Sequence, residues 1–194
     1  MKKILTTIST LALLSSLHAN ESNTKDYFIS VGGGYSHLSI SKDGATYTKD
    51  LNSNGYNGVI SAGLNAFDSL AFALNYQRVQ LNDIHLDNVY VEANYNIYNK
   101  SEFTPFVGIQ AGYSTLTWDK SPIVTVVQKS VSSGSFLGGV NAGINYAIND
   151  SFSIFALYQL QVMNHKTDIR QSGISSTIDN SIGSNVNGGF KYSF

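Results

Sequence analysis

Hydrophobic and polar positions alternate along this chain with a period of two, in blocks of roughly ten residues. Residues 186–194 show the pattern plainly. Val186, Gly188, Phe190, Tyr192 and Phe194 fall on one parity; Asn187, Gly189, Lys191 and Ser193 fall on the other. Successive side chains of a strand point to opposite faces. This segment therefore predicts a strand with one apolar face ending in aromatics and one small or polar face. Seven further blocks repeat the pattern, at about 26–38, 55–65, 70–81, 88–98, 103–117, 134–147 and 152–163. In the fourth, Val89, Val91, Ala93, Tyr95 and Ile97 oppose Asn88, Tyr90, Glu92, Asn94 and Asn96. None of the blocks has the i, i+3, i+4 spacing of a helix.

Blocks of this length suit tilted strands that cross a bilayer. The connections between them alternate: 65–69, 99–102 and 147–151 are short, whereas 41–54, 118–133 and 164–182 are long and polar, with 82–87 a short exception on the second side. Short turns on one side and long loops on the other are the pattern of an outer-membrane barrel, with turns and termini in the periplasm. With that topology Tyr27, Leu70 and Phe72, Tyr95, Phe103, Tyr146, Phe152, Tyr192 and Phe194 lie at the periplasmic ends of their strands. Tyr35, Tyr56, Tyr76, Tyr113 and Phe136 lie at the outer ends, and aliphatic residues fill the middle. Two aromatic girdles around an aliphatic band are expected of such a barrel. The fold expected is all-β: an eight-stranded antiparallel up-and-down transmembrane β-barrel.

The terminal Phe194, with Tyr192 and Phe190 in phase before it, resembles the C-terminal signature of Gram-negative outer-membrane β-barrels. The resemblance covers residues 26–194 and is to small proteins of the OmpA/OmpX/opacity-protein type, which include adhesins, immune-evasion proteins and membrane-stabilising proteins. It implies residence in the cell outer membrane and a C-terminal strand read by the barrel-assembly machinery. It also implies surface loops that meet a host or cell-surface ligand. The chain ends at strand eight, so the peptidoglycan-binding domain of longer members is not expected, and a monomer is.

Composition agrees with export. Met1-Lys2-Lys3, an apolar run to Leu17 and then His18-Ala19 read as a signal peptide over 1–19, with cleavage after Ala19 and a barrel domain over 20–194. Leu17 at −3 is not the small residue favoured there. There is no Cys, which excludes a lipid-anchored cysteine, disulfides and thiolate metal sites. Charged residues are 13% of the chain and the net charge is −1, so nothing points to a nucleic-acid partner.

Candidate chemistry is sparse. Arg78 falls on the lipid parity of strand three at its outer end, where a charge costs about 0–1 kcal/mol instead of about 2–4 at mid-bilayer. A bulge near Gln77 is the other reading, and would turn Val79 and Leu81 to lipid. Glu92 and Lys191 are the charges expected in the lumen, either approaching each other or sharing a network with Asn94, Gln110 and Asn187. The bulky inward set is Phe28, Tyr90, Phe106, Leu137, Phe155 and Leu157, which with many Asn and Gln argues for a packed core. His37-x-Ser39 has the spacing seen in outer-membrane lipid A deacylases, without an acidic partner. His85 and His165 are read as isolated loop residues, and Asp43, Asp50, Asp168 and Asp179 as solvated loop charges. No catalytic residue, metal ligand or cofactor is assigned. Three functions remain: a non-enzymatic surface protein with a structural or adhesin-like role in its loops, a narrow porin-like channel, and an outer-membrane lipid-modifying enzyme.

Overall fold

The computed structural model describes residues 27–44, 53–67, 69–99, 101–119, 132–171 and 174–194. Its strands are β1 (Tyr27–Gly44), β2 (Asn54–Phe67), β3 (Leu70–Leu81), β4 (Ile84–Asn96), β5 (Phe103–Trp118), β6 (Ser132–Ala147), β7 (Phe152–Gln171) and β8 (Ile174–Ser193). Each pairs antiparallel with the next, and β8 pairs back onto β1, so the sheet closes. At the seam, the Tyr27 amide donates to the Phe194 carbonyl at 3.2 Å and the Phe194 amide to the Tyr27 carbonyl at 2.9 Å.

The parity read from the sequence holds around the ring. Val31, Ile60, Val91, Ile109, Val140, Val186 and Phe190 point outward, and Ile109 is 66% exposed. A continuous apolar surface of this extent has no place in water, and it is the surface a bilayer covers. Tyr27, Phe194, Tyr192 and Phe152 stack in series near the seam, with ring centroids 4.8–6.2 Å apart. Phe103 packs on Tyr146 at 4.8 Å along the same end. At the other end Tyr113 meets Phe136 edge-on at 6.0 Å.

The inward aromatics fit because glycines face them. Phe106 pairs with Gly143 across β5 and β6. A Cβ on Gly143 would come 2.5 Å from Phe106 Cζ, so the ring lies flat over the neighbouring backbone. Phe28 covers Gly63 in the same way.

The loop end departs from expectation. The segment 164–182, read as a long polar loop, is strand: β7 and β8 stay paired to Gln171↔Ile174. β1 likewise follows β8 to Gly44↔Ser176, whereas among the described residues its pairing with β2 runs to His37↔Asn54, with one further bond from the Leu38 amide to the Ser53 carbonyl, and that of β6 with β7 runs to Gly138↔Val162. A three-stranded sheet, β1–β8–β7, therefore rises past the rim. Register shifts at Ser39/Ile40 and Val162/His165 mark where it leaves the barrel. Beyond the lipid no hydrocarbon demands an apolar outer face, so apolar alternation no longer reports the strand. The segment 82–87 is also mostly strand, with only Asn82 and Asp83 between β3 and β4. Pairing of β3 with both neighbours runs unbroken through Gln77, so there is no bulge there, and Val79 and Leu81 point inward.

The two faces of β5 make a direct test. Ile109→Lys is expected to lose about 2–4 kcal/mol in equilibrium unfolding in lipid, because it sets a cation on the lipid face. Gln110→Lys, which points inward beside Glu92, is expected to lose less.

Candidate functional site

The interior is layered. At the loop end Leu38, Val79, Leu81, Ile84, Leu86, Leu116, Trp118, Leu137 and Met163 converge with Tyr90 into an apolar plug. Every one of them lies on the inward parity of its strand, but Ile84, Leu86 and Trp118 sit in segments taken for loop. The loop end of the packed interior is therefore apolar.

Below the plug, side-chain amides cross the lumen. Asn57 Nδ2 donates to Ser36 Oγ at 2.8 Å, and Ser36 Oγ to Asn185 Oδ1 at 2.6 Å. Asn185 Nδ2 reaches Gln161 Oε1 at 3.1 Å, and Gln161 Nε2 is shared between Gln77 and Gln110 at 3.2 Å each. Gln110 Nε2 then donates to Glu92 Oε2 at 2.9 Å, while Asn94 donates to Glu92 Oε1. Gln159 joins the same layer, donating to the Tyr90 hydroxyl at 3.1 Å and accepting from Asn187 at 2.8 Å. Seven of the eight strands thereby contribute to one network, which ties opposite walls together.

Glu92 and Lys191 both face the lumen, yet no ion pair joins them. Glu92 is held by amides; Lys191 Nζ lies over the Phe28 ring, 4.1 Å from its centroid. The network with Asn94 and Gln110 includes Glu92, and Asn187 belongs to it through Gln159.

The ion pairs among the described residues sit on the outer rim of β3–β5. Arg78 Nη1 is 3.7 Å from Asp87 Oδ1, which also accepts from the Tyr76 hydroxyl at 2.7 Å. Arg78 is thus outward, as its parity indicates, and paired. His85 is not isolated: its Nδ1 donates to Asp119 Oδ1 at 2.7 Å, and Gln80 Nε2 donates to Asp119 Oδ2 at 2.9 Å. Burial acts to raise the Asp119 pKa, but the bonds from Gln80 and His85 and the charge of Arg78 outweigh it and hold the carboxyl below its ordinary value.

His165 is not a loop residue either. It lies on β7, fully buried, with Nε2 2.9 Å from Ser114 Oγ. By distance this is a base–hydroxyl pair, but both residues have no exposed surface, so no substrate reaches them. His37 and Ser39 point outward, and the His37 ring bonds to Asn54 at 2.8 Å. Asp43 and Asp168 are on strands and Asp179 lies opposite Lys166, while Asp50 and Ala19 lie outside the described residues. Phe190, Tyr192 and Phe194 all face outward at the seam. Among the described residues no group of acids and histidines has the arrangement of a metal site.

No protein-family model matches the chain, and no curated protein does. Solved structures do share its fold. Neisserial surface protein A aligns with a TM-score of 0.67 at 18% identity, over 87% of this chain and 97% of that one. The outer membrane protein OprG of Pseudomonas aeruginosa aligns at 0.55 and 13% identity, over 88% and 97%. The N-terminal β-barrel domain of OprF from the same organism aligns at 0.51 and 15%, over 88% and 98%. The likeness is one of architecture: the chain has the fold of a small eight-stranded outer-membrane β-barrel.

Two outcomes follow from this geometry. Gln77→Leu strands the amides of Asn88 and Gln161 that donate to it and is expected to cost about 1–3 kcal/mol in unfolding. Asp119→Asn is expected to lower stability above about pH 4, the ordinary carboxylate value. Because the folded-state pKa is depressed, that difference fades as pH falls through it, and unfolding curves across a pH series check it.

Proposed function

We propose that this chain is a non-enzymatic surface protein of the outer membrane, whose structural or interaction role is carried by its loop end. The observation behind this is the three-stranded sheet that rises past the rim over a sealed lumen. Loops and projecting elements carry function where a rigid scaffold holds them, and here the barrel is that scaffold. Neisserial surface protein A, which shares the fold, is by its name a surface protein, in keeping with the reading. A channel would require the apolar plug and the amide layer to part together, and a lipid-modifying enzyme would require a reactive pair within reach of lipid. The C-terminal aromatics Phe190, Tyr192 and Phe194 suit a signal to the assembly machinery.

Two measurements test the reading. In planar bilayers the barrel is expected to stay at leak conductance, and a Leu86→Ala, Leu116→Ala, Leu137→Ala triple variant to conduct more. Stepwise channels from the unmutated protein would favour the porin-like alternative. Replacing 166–179 by a two-residue turn is expected to leave the heat-modifiable barrel in the outer membrane. It should abolish adhesion of displaying cells to host-cell or matrix surfaces, and undiminished adhesion would count against the projecting sheet.

A further inference from the structure

The lumen is sealed at the loop end but not at the turn end. Beneath the amide layer lies a chamber of about 60 Å³, walled by Phe28, Tyr90, Phe106, Asn94, Glu92 and Lys191 among others. Lys191, Asn96 and Asn145 line both this chamber and a vestibule of about 670 Å³ at the turn end, and so form its neck. The vestibule wall is rich in amides and hydroxyls, among them Asn65, Thr104 and Ser153. Glu92 lines the inner chamber and not the vestibule.

Two opposite charges face the chamber without neutralising each other. The carboxylate of Glu92 is held only by neutral amides. The ammonium of Lys191 rests on the Phe28 ring and has no hydrogen-bonding or ion-pair partner among the described residues. A charge withdrawn from water without a counter-charge is costly. A ligand that brings an ammonium to Glu92 and a carboxylate to Lys191 gains at both ends. A lone carboxylate would be repelled by Glu92, and a lone amine by Lys191. Size narrows the class. One water occupies about 10–15 Å³ of such space, so the chamber takes on the order of four to six non-hydrogen atoms.

We propose that this chamber binds a small zwitterion, an α-amino acid with no side chain or a one-carbon side chain, carboxylate toward Lys191 and ammonium toward Glu92. The vestibule admits it and the neck selects for size. The site is independent of the loop-end role, and it requires no passage through the barrel.

The test uses the refolded full barrel in micelles, with isotope-labelled glycine titrated in and binding read by NMR. Glycine and alanine are expected to saturate, and leucine, acetate and methylammonium to bind at least tenfold more weakly. Lys191→Met and Glu92→Gln should each weaken glycine binding at least tenfold. Both touch the interior, so Asn145→Trp provides a third variant. It narrows the neck without altering either charge, should keep the heat-modifiable fold, and should weaken glycine binding as much. Absence of saturable glycine binding by the folded unmutated barrel would overturn the proposal. So would acetate binding as tightly as glycine, which would make the chamber a plain anion site, or glycine binding unchanged in all three variants.

Discussion

Inside a bilayer the backbone has no water to bond to, so every amide and carbonyl must find a partner within the protein. A sheet meets that demand only by closing. The reciprocal bonds between Tyr27 and Phe194, the first and last described residues, begin the β1–β8 ladder that makes the closure. Most other features depend on it. Closure makes the two faces of every strand permanently different, one to lipid and one to the lumen, and this imposes the period of two on the whole sequence. It also places the first and last strands side by side, so that Tyr27, Phe194, Tyr192 and Phe152 stack into a girdle at the seam.

Eight strands leave a lumen just wide enough for side chains to fill, and this chain fills it unevenly. The loop end is apolar, the middle is a web of amides, and the turn end is open and polar. A web of amides is stable only if its members are satisfied together, and Gln77 and Gln161 are the points where several bonds meet. The plug above keeps water from competing for those bonds. The result is a barrel closed toward the loops, on which a paired sheet stands, and accessible from the turns.

The transmembrane part of this fold is legible in the sequence because lipid enforces it. Val89, Val91, Ala93, Tyr95 and Ile97 alternate with polar residues only where one side of the strand meets hydrocarbon. At the rim that constraint ends. The outer halves of β7 and β8 are mostly polar in sequence and lack sustained alternation, so 164–182 reads as loop although β7 and β8 stay paired to Gln171↔Ile174. Ile84 and Leu86 are masked for the same reason: they flank a two-residue turn, and their inward parity shows only once β4 is known to begin at Ile84. His165 lies in the misread segment and so seems solvated, while the structure buries it against Ser114. Glu92 and Lys191 are found by parity, but parity gives a face and not a distance. The amides that hold Glu92, from Asn94 on its own strand and Gln110 on β5, are set by the register of β4 against β5, and one sequence does not report that convergence.

The central claim is that one face of each strand meets lipid and the other meets a packed interior. The protein has no cysteine, so single cysteines placed in turn at 106–113 on β5 report each position alone. Each would carry a fluorophore in the reconstituted barrel, quenched by a bilayer-soluble quencher. The account predicts strong quenching at 107, 109, 111 and 113 and weak quenching at 106, 108, 110 and 112. Quenching that is uniform along β5, or strongest at the even positions, would contradict it.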